Sequence, residues 1–368
     1  MRLLVVGASA SATCGIRDYA VALDPWLGSP QTVWWERDPG WSAADTRRAA
    51  RRFRRELGAA LAGRPDAVLW SYSVFDYGPR TAWDLHGTPL HAPAIAQRLR
   101  ASSGPLVTVV HEAVYSFREP GFQRRALAAT HRAALVAVVA ASDGLVGATG
   151  DRERWLRSRR WLPRRPLAPI PICANLPRVE HPLGTRDEIA VMSFGAEDAC
   201  VATVAGALGT LRARGVDVRM RLVGQPGAAG RRAQRWREAA ERAGCAGALS
   251  FSGVVERPEL SRELSAAPLV LFPNAQGPIT AKSTIASALA HGRPVVAIDG
   301  PKRWDGFASA MALAPPDAPA LADCLERLLA DEAERRRLGE AGAELYEREL
   351  APEVTARRLL AFAEEVAA

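Results

Sequence analysis

The amino-acid sequence predicts an α/β protein of two tandem Rossmann-like domains, each a doubly wound parallel sheet, that face a central cleft. Short apolar runs alternate with longer helical patterns along the whole chain, as in parallel sheets covered by helices. The length of 368 residues suits two domains. Six prolines between residues 163 and 187 interrupt the pattern and indicate a linker. We therefore expect one domain over residues 1–172 and a second over 173–351.

The first half begins with an apolar strand and a loop of small residues at 7–13. Apolar residues then fall at helical spacing from Ile16 to Leu23. The predicted strands of this half are Leu3–Val6, Thr32–Trp35, Ala67–Trp70, Leu106–Val110 and Gly144–Gly147. Helices are predicted between them at 42–62, 92–102 and 121–140. This alternation predicts one doubly wound sheet.

The second half repeats the pattern. Its predicted strands are Ile189–Phe194, Val218–Val223, Leu249–Phe251, Leu269–Phe272 and Pro294–Ile298. Its predicted helices are 199–214, 230–243, 258–266 and 281–291, followed by a helical tail over 318–367. The end of this tail, about 352–368, can pack back on the first domain. Because ligands of such sheets bind beyond the carboxyl ends of the strands, we expect a shared ligand in the cleft.

The charge of the chain is distributed unevenly. The chain has 48 basic and 40 acidic residues, and Lys282 and Lys302 are its only lysines. Residues 1–170 hold 24 arginines against 14 acids, a net charge of +10, whereas the rest of the chain has a net charge of −2. A basic half is compatible with nucleic acid, an anionic membrane or a polyanionic substrate. No nucleic-acid reading motif is present, so we expect no nucleic-acid partner.

The cysteines and the N-terminus bear on location. Five scattered cysteines without a C-x-x-C pair favour neither a disulfide framework nor a zinc site. Residues 1–13 turn polar too early for a signal peptide, and no apolar run approaches the length of a membrane span. We expect a cytoplasmic protein, with peripheral membrane contact through its basic N-terminal half as an open alternative.

The segment between 272 and 296 carries the strongest chemical signal. A Gly277-Pro278 turn follows a strand, and Thr280 can cap the next helix. Free amides at a helix start, together with its dipole, bind phosphate, and Lys282 adds a full charge there. The first turn also carries two hydroxyl side chains, Ser283 and Thr284. The alternative is an ordinary capped helix with a solvated lysine.

These residues resemble a known family. The segment from Gly277 to Ala297, ending in Ser287-Ala288-Leu289-Ala290-His291-Gly292-Arg293-Pro294-Val295-Val296-Ala297, resembles the donor-phosphate helix of GT-B glycosyltransferases, particularly glycosyltransferase family 4. Residues 14–19 resemble its first Gly-rich loop, and residues 72–78 and 109–112 resemble an aromatic-Gly loop and a His-Glu pair of a bacterial subgroup. In the second half, residues 193–195, 222–224 and 251–255 sit where that fold binds the nucleotide. The landmarks follow in the family's order across the whole chain.

The resemblance implies a retaining transfer of sugar from a nucleotide-sugar donor to a small-molecule or lipid-linked acceptor, such as a bacterial natural product or a cell-surface glycan. The implied donor-binding residues are Gly195, Gly224, Val254, Val255, Gly277, Thr280, Lys282, Ser283 and Thr284. The implied acceptor-binding residues are Gly15, Arg17, Asp18, Tyr19 and Tyr77. The implied catalytic residues are His111, Glu112 and Lys282.

These candidates have distinct chemical roles. His111 matches a family position that contacts the donor sugar, and Glu112 is a candidate to orient His111 or to accept a proton. A helix dipole with Lys282 can replace a metal at the leaving diphosphate, and no Asp-x-Asp cluster with metal-like character is present. We therefore expect no metal and no other cofactor. The alternatives to a functional role are that His111 is only structural and that Gly15 serves only a tight turn.

One departure from the family concerns two glutamates that usually lie eight residues apart. Ile279 and Ser287 occupy those positions here. The departure leaves ribose recognition and the donor sugar open, and it favours a subgroup with a basic residue followed by Ser or Thr. It also keeps two other functions open: a nucleotide-sugar epimerase or hydrolase on the same fold, and a non-catalytic nucleotide-sugar-binding module.

Two further features give weaker evidence about function. The basic segments 47–55 and 152–165 contain interleaved aromatic residues and could contact anionic lipid or a polyphosphate acceptor. In a chain this rich in arginine they are also compatible with solvated helix faces. His291 is expected to cap or pack at the end of its helix rather than to react.

Overall fold

The protein is described by a computed structural model that covers residues 1–9, 14–36, 41–74, 77, 89–112, 114, 117, 122–176, 188–192, 198–224 and 229–368. The chain forms two compact units, the first from residues 1–171 with 352–368 and the second from residues 172–351. Each unit contains one six-stranded sheet. No helix in the described ranges combines the length and apolar character needed to span a bilayer.

All strands of both sheets pair in parallel. The first sheet is formed by β1 Leu3–Ser9, β2 Gln31–Glu36, β3 Ala67–Tyr72, β4 Leu106–Val110, β5 Gly144–Gly147 and β6 Leu167–Pro169. The second is formed by β7 Glu188–Val191, β8 Arg219–Val223, β9 Leu249–Gly253, β10 Val270–Phe272, β11 Val295–Ile298 and β12 Ala312–Ala314. The predicted α/β class with two doubly wound parallel sheets is confirmed.

Twelve α-helices in the described part of the chain accompany these strands. The first five are α1 Gly15–Leu23, α2 Ala43–Ala62, α3 Ala92–Arg100, α4 Phe122–Ala141 and α5 Gly150–Ser158. The second unit contains α6 Asp198–Ala213, α7 Gly230–Arg242, α8 Arg257–Ala266, α9 Ser283–Ala290, α10 Ala318–Ala330 and α11 Glu332–Leu345. The last helix is α12 Pro352–Ala367. The predicted helical tail over 318–367 thus consists of three α-helices.

The first sheet has the order β2-β1-β3-β4-β5-β6, so its strand order reverses between β1 and β3. Every residue of β3 and β4 is buried, as expected for central parallel strands covered on both faces. Helix α12 belongs to this unit, because it packs against β5 at Gly144. A Cβ atom on Gly144 would lie 2.8 Å from the ring of Phe362, so glycine permits this close packing.

The second sheet has the order β12-β11-β10-β7-β8-β9, and its strand order reverses between β7 and β10. This is the strand order of dinucleotide-binding sheets, whose ligands bind beyond the carboxyl ends of the strands at the reversal. Helix α9 leaves the carboxyl end of β10 and is buried from Ile285 to Ala290. The N-terminus of α9 therefore lies at the edge of the sheet where this topology places a ligand.

Candidate functional site

The predicted donor-binding residues follow four neighbouring strands at the carboxyl edge of the second sheet. Gly224 follows β8, Val254 and Val255 follow β9, and the segment 273–282 follows β10. Gly195, which comes after β7, lies outside the described residues. The parallel topology thus brings the described candidates to one edge of one sheet.

The segment between β10 and α9 is a tight turn held by its own backbone. Buried Asn274 accepts hydrogen bonds through its side-chain oxygen from Gln276 N, at 2.9 Å, and through its carbonyl from Gly277 N, at 2.8 Å. Gly277 adopts a φ of +86°, which favours glycine. A Cβ atom on Gly300 would lie 2.3 Å from Gly277 N, so the two backbones touch where only glycine fits.

The loop after β11 is bound to this turn and was not among the predicted site residues. Lys302 N donates to Gln276 O at 2.9 Å, and Trp304 N donates to Pro278 O at 3.0 Å. Lys302 and Lys282 both have exposed side chains. The only two lysines of the chain therefore lie on two loops that are hydrogen-bonded to each other. The rarity of lysine was the sequence signal that could have identified the second loop.

Lys282, not Thr280, is the N-cap residue of α9. Lys282 has extended backbone angles and no side-chain capping bond, and its carbonyl accepts from Ile285 N at 3.1 Å. The prediction that Thr280 caps the helix is wrong because the chain is still turning at Thr280, which is buried and whose carbonyl accepts from Ile172 N at 2.9 Å.

The uncapped helix start leaves backbone donors available. No described residue accepts a hydrogen bond from Ser283 N. The side chains of Ser283 and Thr284 are half-buried in the first turn. A helix start with an unpartnered amide beside an exposed ammonium group is suited to bind an anionic group.

The buried face of α9 accounts for two other sequence features. Ser287 is fully buried and donates to the side-chain oxygen of Asn175 at 3.4 Å, so the position of a family glutamate points into the unit. His291 is the C-cap residue, with Nδ1 2.6 Å from Ser287 O and Nε2 2.6 Å from Ser261 Oγ. The expectation that His291 caps or packs at the end of its helix is confirmed.

Further along the same edge, Gly224 follows β8 with open space around its Cα atom, and the exposed apolar residue Val254 comes after the neighbouring strand β9. Gly224 has a φ of +101°, and a Cβ atom there would meet no atom within 4 Å. Its amide donates to Ser252 Oγ at 3.0 Å, which ties the end of β8 to β9. Val254 comes two residues later and is 58% exposed. Open backbone next to an apolar surface is suited to hold a flat ring.

In the first unit, His111 lies directly after β4. Its backbone amide donates to Tyr72 O at 2.9 Å. Its ring packs edge-on against Tyr19, with the ring centres 5.7 Å apart. The Nε2 atom is buried and has no hydrogen-bond partner among the described residues. A buried, unpartnered ring nitrogen is costly unless a ligand satisfies it, and this argues against a purely structural histidine.

Arg152 is the residue at this site that sequence reasoning missed. It lies in the first turn of α5, and its guanidinium donates to Val110 O at 3.1 Å. Burial first, and then the charge of Arg152, lower the pKa of His111 to about 3. His111 is therefore neutral at physiological pH. The contact depends on the pairing of β4 with β5, which no local motif reveals.

The side chain of Glu112 is exposed. Its charge acts on Arg152, where it opposes the lowering of the arginine pKa by burial. The roles predicted for Glu112, to orient His111 or to accept a proton, stay predictions.

The N-terminus of α1 holds four of the predicted acceptor residues. A Cβ atom on Gly15 would meet no atom within 4 Å, so packing does not require glycine there. Arg17 lies 3.5 Å from Glu36 and 5.6 Å from the ring centre of Trp34. Asp18 is half-buried. Tyr19 is 2% exposed and packs edge-on against His111, and its assignment to acceptor binding stays a prediction.

Tyr77 is also a core residue, and its assignment to the acceptor is wrong. It is fully buried and adopts a φ of +64°. Its hydroxyl accepts from Trp70 Nε1 at 2.9 Å and donates to Ser71 O at 3.1 Å. Both polar functions of the hydroxyl are therefore used within the fold.

In the part of the chain that the structure describes, no group of three or more His, Cys, Asp or Glu side chains could hold a metal ion. The expectation of a metal-free reaction stays a prediction.

Comparison with models of protein families gives a match within the second unit. Residues 191–331 match the model of the family described as Glycosyl transferases group 1. The matched segment contains the turn after β10, Lys282 and α9. A search of curated proteins finds no match.

Solved structures show the fold over the full length. Sucrose-phosphate synthase from Thermosynechococcus elongatus has a TM-score of 0.70 at 17% identity, over 99% of both chains. HepE of Anabaena, solved in complex with UDP, has a TM-score of 0.64 at 11% identity, over 99% of this chain and 100% of that chain. A candidate UDP-N-acetylglucosamine 2-epimerase from Listeria monocytogenes has a TM-score of 0.59 at 13% identity, over 99% and 96%. The resemblance to two-domain GT-B proteins is confirmed at the level of the fold.

Proposed function

We propose that this protein is a glycosyltransferase that takes its sugar from a nucleotide-sugar donor bound at the carboxyl edge of the second sheet. One observation carries the proposal: the segment matched by the glycosyltransferase family holds an uncapped helix start with Lys282 beside the strand reversal. The complexes of Anabaena HepE with UDP and with UDP-glucose support a nucleotide sugar as the donor class.

The start of α9 has the chemistry to hold the donor diphosphate. Charge builds up on the leaving diphosphate as the glycosidic bond breaks, so groups that favour negative charge stabilise the transition state more than the ground state. The exposed ammonium of Lys282 and the positive end of the α9 dipole are such groups. They supply the charge that a metal provides in other enzymes, and we propose a metal-independent transfer.

The neighbouring strand ends suit the nucleoside. Gly224 lets the ligand approach the backbone, and exposed Val254 offers an apolar surface for a base, with Val255 half-buried beside it. Ser287 is buried, so the ribose is held by other groups than the usual glutamate. In this proposal, the groups at these strand ends, rather than the usual pair of glutamates, determine which base and which sugar the donor carries.

The acceptor belongs to the first unit in this proposal. Gly15, Arg17 and Asp18 at the start of α1 remain its candidate contacts. Neutral His111 supplies a hydrogen bond from its ring to a substrate hydroxyl, and transfer proceeds with retention. The basic surface of this unit agrees with an acceptor that carries phosphate or is linked to lipid.

A panel of nucleotides and nucleotide sugars, screened by thermal shift and then by turnover, tests the proposal. We expect one nucleotide and its sugars to raise the melting temperature by mass action. We expect sugar transfer to an added acceptor mixture that persists in EDTA, with slow loss of donor when no acceptor is present. Rapid donor hydrolysis or isomerisation without acceptor would instead identify a hydrolase or an epimerase. No stabilisation by any nucleotide would refute the donor site.

A further inference from the structure

A strongly basic groove runs along α2 in the first unit, and none of its lining residues is assigned to the donor. The groove has a volume of about 900 Å³. Five arginines line it, against two carboxylates, Glu36 and Asp45. The arginines are Arg48, Arg51, Arg52, Arg54 and Arg55. Its size falls in the range of small-molecule sites.

The two carboxylates are already engaged within the protein. Asp45 forms a capping box with Ser42 and pairs with Arg48, and the Ser42 hydrogen bonds and then Arg48 lower the pKa of Asp45. Glu36 pairs with Arg52 and lies 3.5 Å from Arg17. The remaining arginines of the groove therefore face an excess of positive charge.

Three exposed arginines on this helix have no acidic partner among the described residues. Arg47, Arg51 and Arg55 follow each other at intervals of four, so they share one face of α2. None of them makes an ion pair with a described residue. Like charges at this spacing destabilise a helix by a few tenths of a kcal/mol per pair, about 0.2–0.5.

Helix α11 of the same arginine-rich chain pairs two of its arginines with nearby acids. On α11, Arg336 lies 2.8 Å from Glu332, and Arg337 lies 2.7 Å from Glu334. The abundance of arginine in this sequence is not in itself evidence of a binding site. The arginines of α2 and α11 differ, however, in whether they have acidic partners. On α11, acidic residues lie three or four positions away from the arginines. The α2 face formed by Arg47, Arg51 and Arg55 has no acidic residue at those positions, so its charge is available to an external anion.

We propose that the α2 groove binds a small ligand that carries two or more phosphate groups. Guanidinium groups bind phosphate through two parallel hydrogen bonds, and successive arginines at i,i+4 lie about 6 Å apart along a helix axis, which suits neighbouring phosphates. Half-buried Trp41 at the rim adds an apolar surface for the remainder of the ligand. The concave shape suits a soluble ligand better than a flat bilayer.

Titration calorimetry of the full chain with inorganic tripolyphosphate tests this site. We expect binding to the unaltered protein and at least a tenfold loss of affinity in Arg51→Gln/Arg55→Gln. The matched control is Arg336→Gln/Arg337→Gln, which removes the same two charges from α11 and should change the affinity by less than twofold. Because the groove variant relieves like-charge repulsion, its melting temperature should equal or exceed that of the unaltered protein.

Four results would overturn the proposal. They are absence of tripolyphosphate binding, equal loss in both double variants, undiminished binding in the groove variant, and binding only to vesicles that contain anionic phospholipid. The last result would assign the α2 face to a membrane. An Arg51→Lys/Arg55→Lys variant, which keeps the charge but loses the two-point hydrogen bonding, should bind with intermediate affinity.

Discussion

His111 combines a buried ring nitrogen without a described partner and a pKa lowered to about 3. Tyr19 holds the ring from one side, and Arg152 lies near it from α5. A residue in this state cannot act as a base that gains a full charge near neutral pH. In the proposed transfer, His111 therefore contributes a hydrogen bond to a hydroxyl group, made by a ring that packs against Tyr19.

The shifted pKa predicts a pH-dependent contribution to stability. An imidazole with a pKa near 6.5 when unfolded and about 3 when folded binds protons preferentially in the unfolded state between these values. Stability from this group is thus complete above pH 6.5 and is lost as the pH falls toward 3. We expect the unaltered protein to lose about 2 kcal/mol more than His111→Gln between pH 7.5 and pH 5.0.

Denaturant unfolding of both proteins at the two pH values measures this difference. The pKa of His91 is also lowered, by burial and then by Arg54, but it is common to both proteins and cancels. An identical pH dependence in the two proteins would show that His111 titrates normally and would remove the argument for its neutral role.

At the scale of elements, two loops act together at the carboxyl edge of the second sheet. The turn after β10 and the loop after β11 are joined by hydrogen bonds and by the direct contact of Gly277 with Gly300. This contact fixes where the chain enters α9, and so where Lys282 and the free amide are placed. The geometry of the helix start therefore depends on a residue 18 positions away from Lys282.

Substitution of Gly300 by alanine tests this coupling. The new Cβ atom would lie 2.3 Å from Gly277 N, so backbone has to move. We expect a loss of about 1–3 kcal/mol in the free energy of unfolding, as for other overpacked sites, together with weaker donor binding. The control is Gly247→Ala, where the Cβ atom would meet nothing within 4 Å and should cost less than about 0.5 kcal/mol. Unchanged donor binding in Gly300→Ala would contradict the coupling.

At the scale of the whole molecule, regular elements were predictable and tertiary contacts were not. The main strands are continuous apolar runs, which buried parallel strands require, and they were predicted within a few residues. The three-residue strands β6 and β12 were missed, because one lies in the proline-rich segment and both are too short for a periodic signal. Helix α5 was missed because its charged sequence shows little apolar periodicity.

In the candidate site, too, local features were predictable and tertiary contacts were not. The position of Lys282 at a helix start followed from local turn and cap signals, although the cap itself fell two residues later than Thr280. The burial of Tyr19 and Tyr77 and the approach of Arg152 to His111 depend on which strands become neighbours. No local pattern carries that information, so these residues could be assigned only from the fold.

The role of Lys282 is the central claim, and donor kinetics of two matched variants test it most directly. Lys282→Ala should lower kcat/KM for the donor at least 100-fold, about 3 kcal/mol of transition-state stabilisation, with a larger effect on kcat than on donor affinity. Its melting temperature should not change, because the side chain is exposed and makes no hydrogen bond to a described residue. Lys302→Ala removes the same charge from the adjoining loop and should cost less than fivefold. Near-normal turnover in Lys282→Ala, or an equal loss in both variants, would contradict the account.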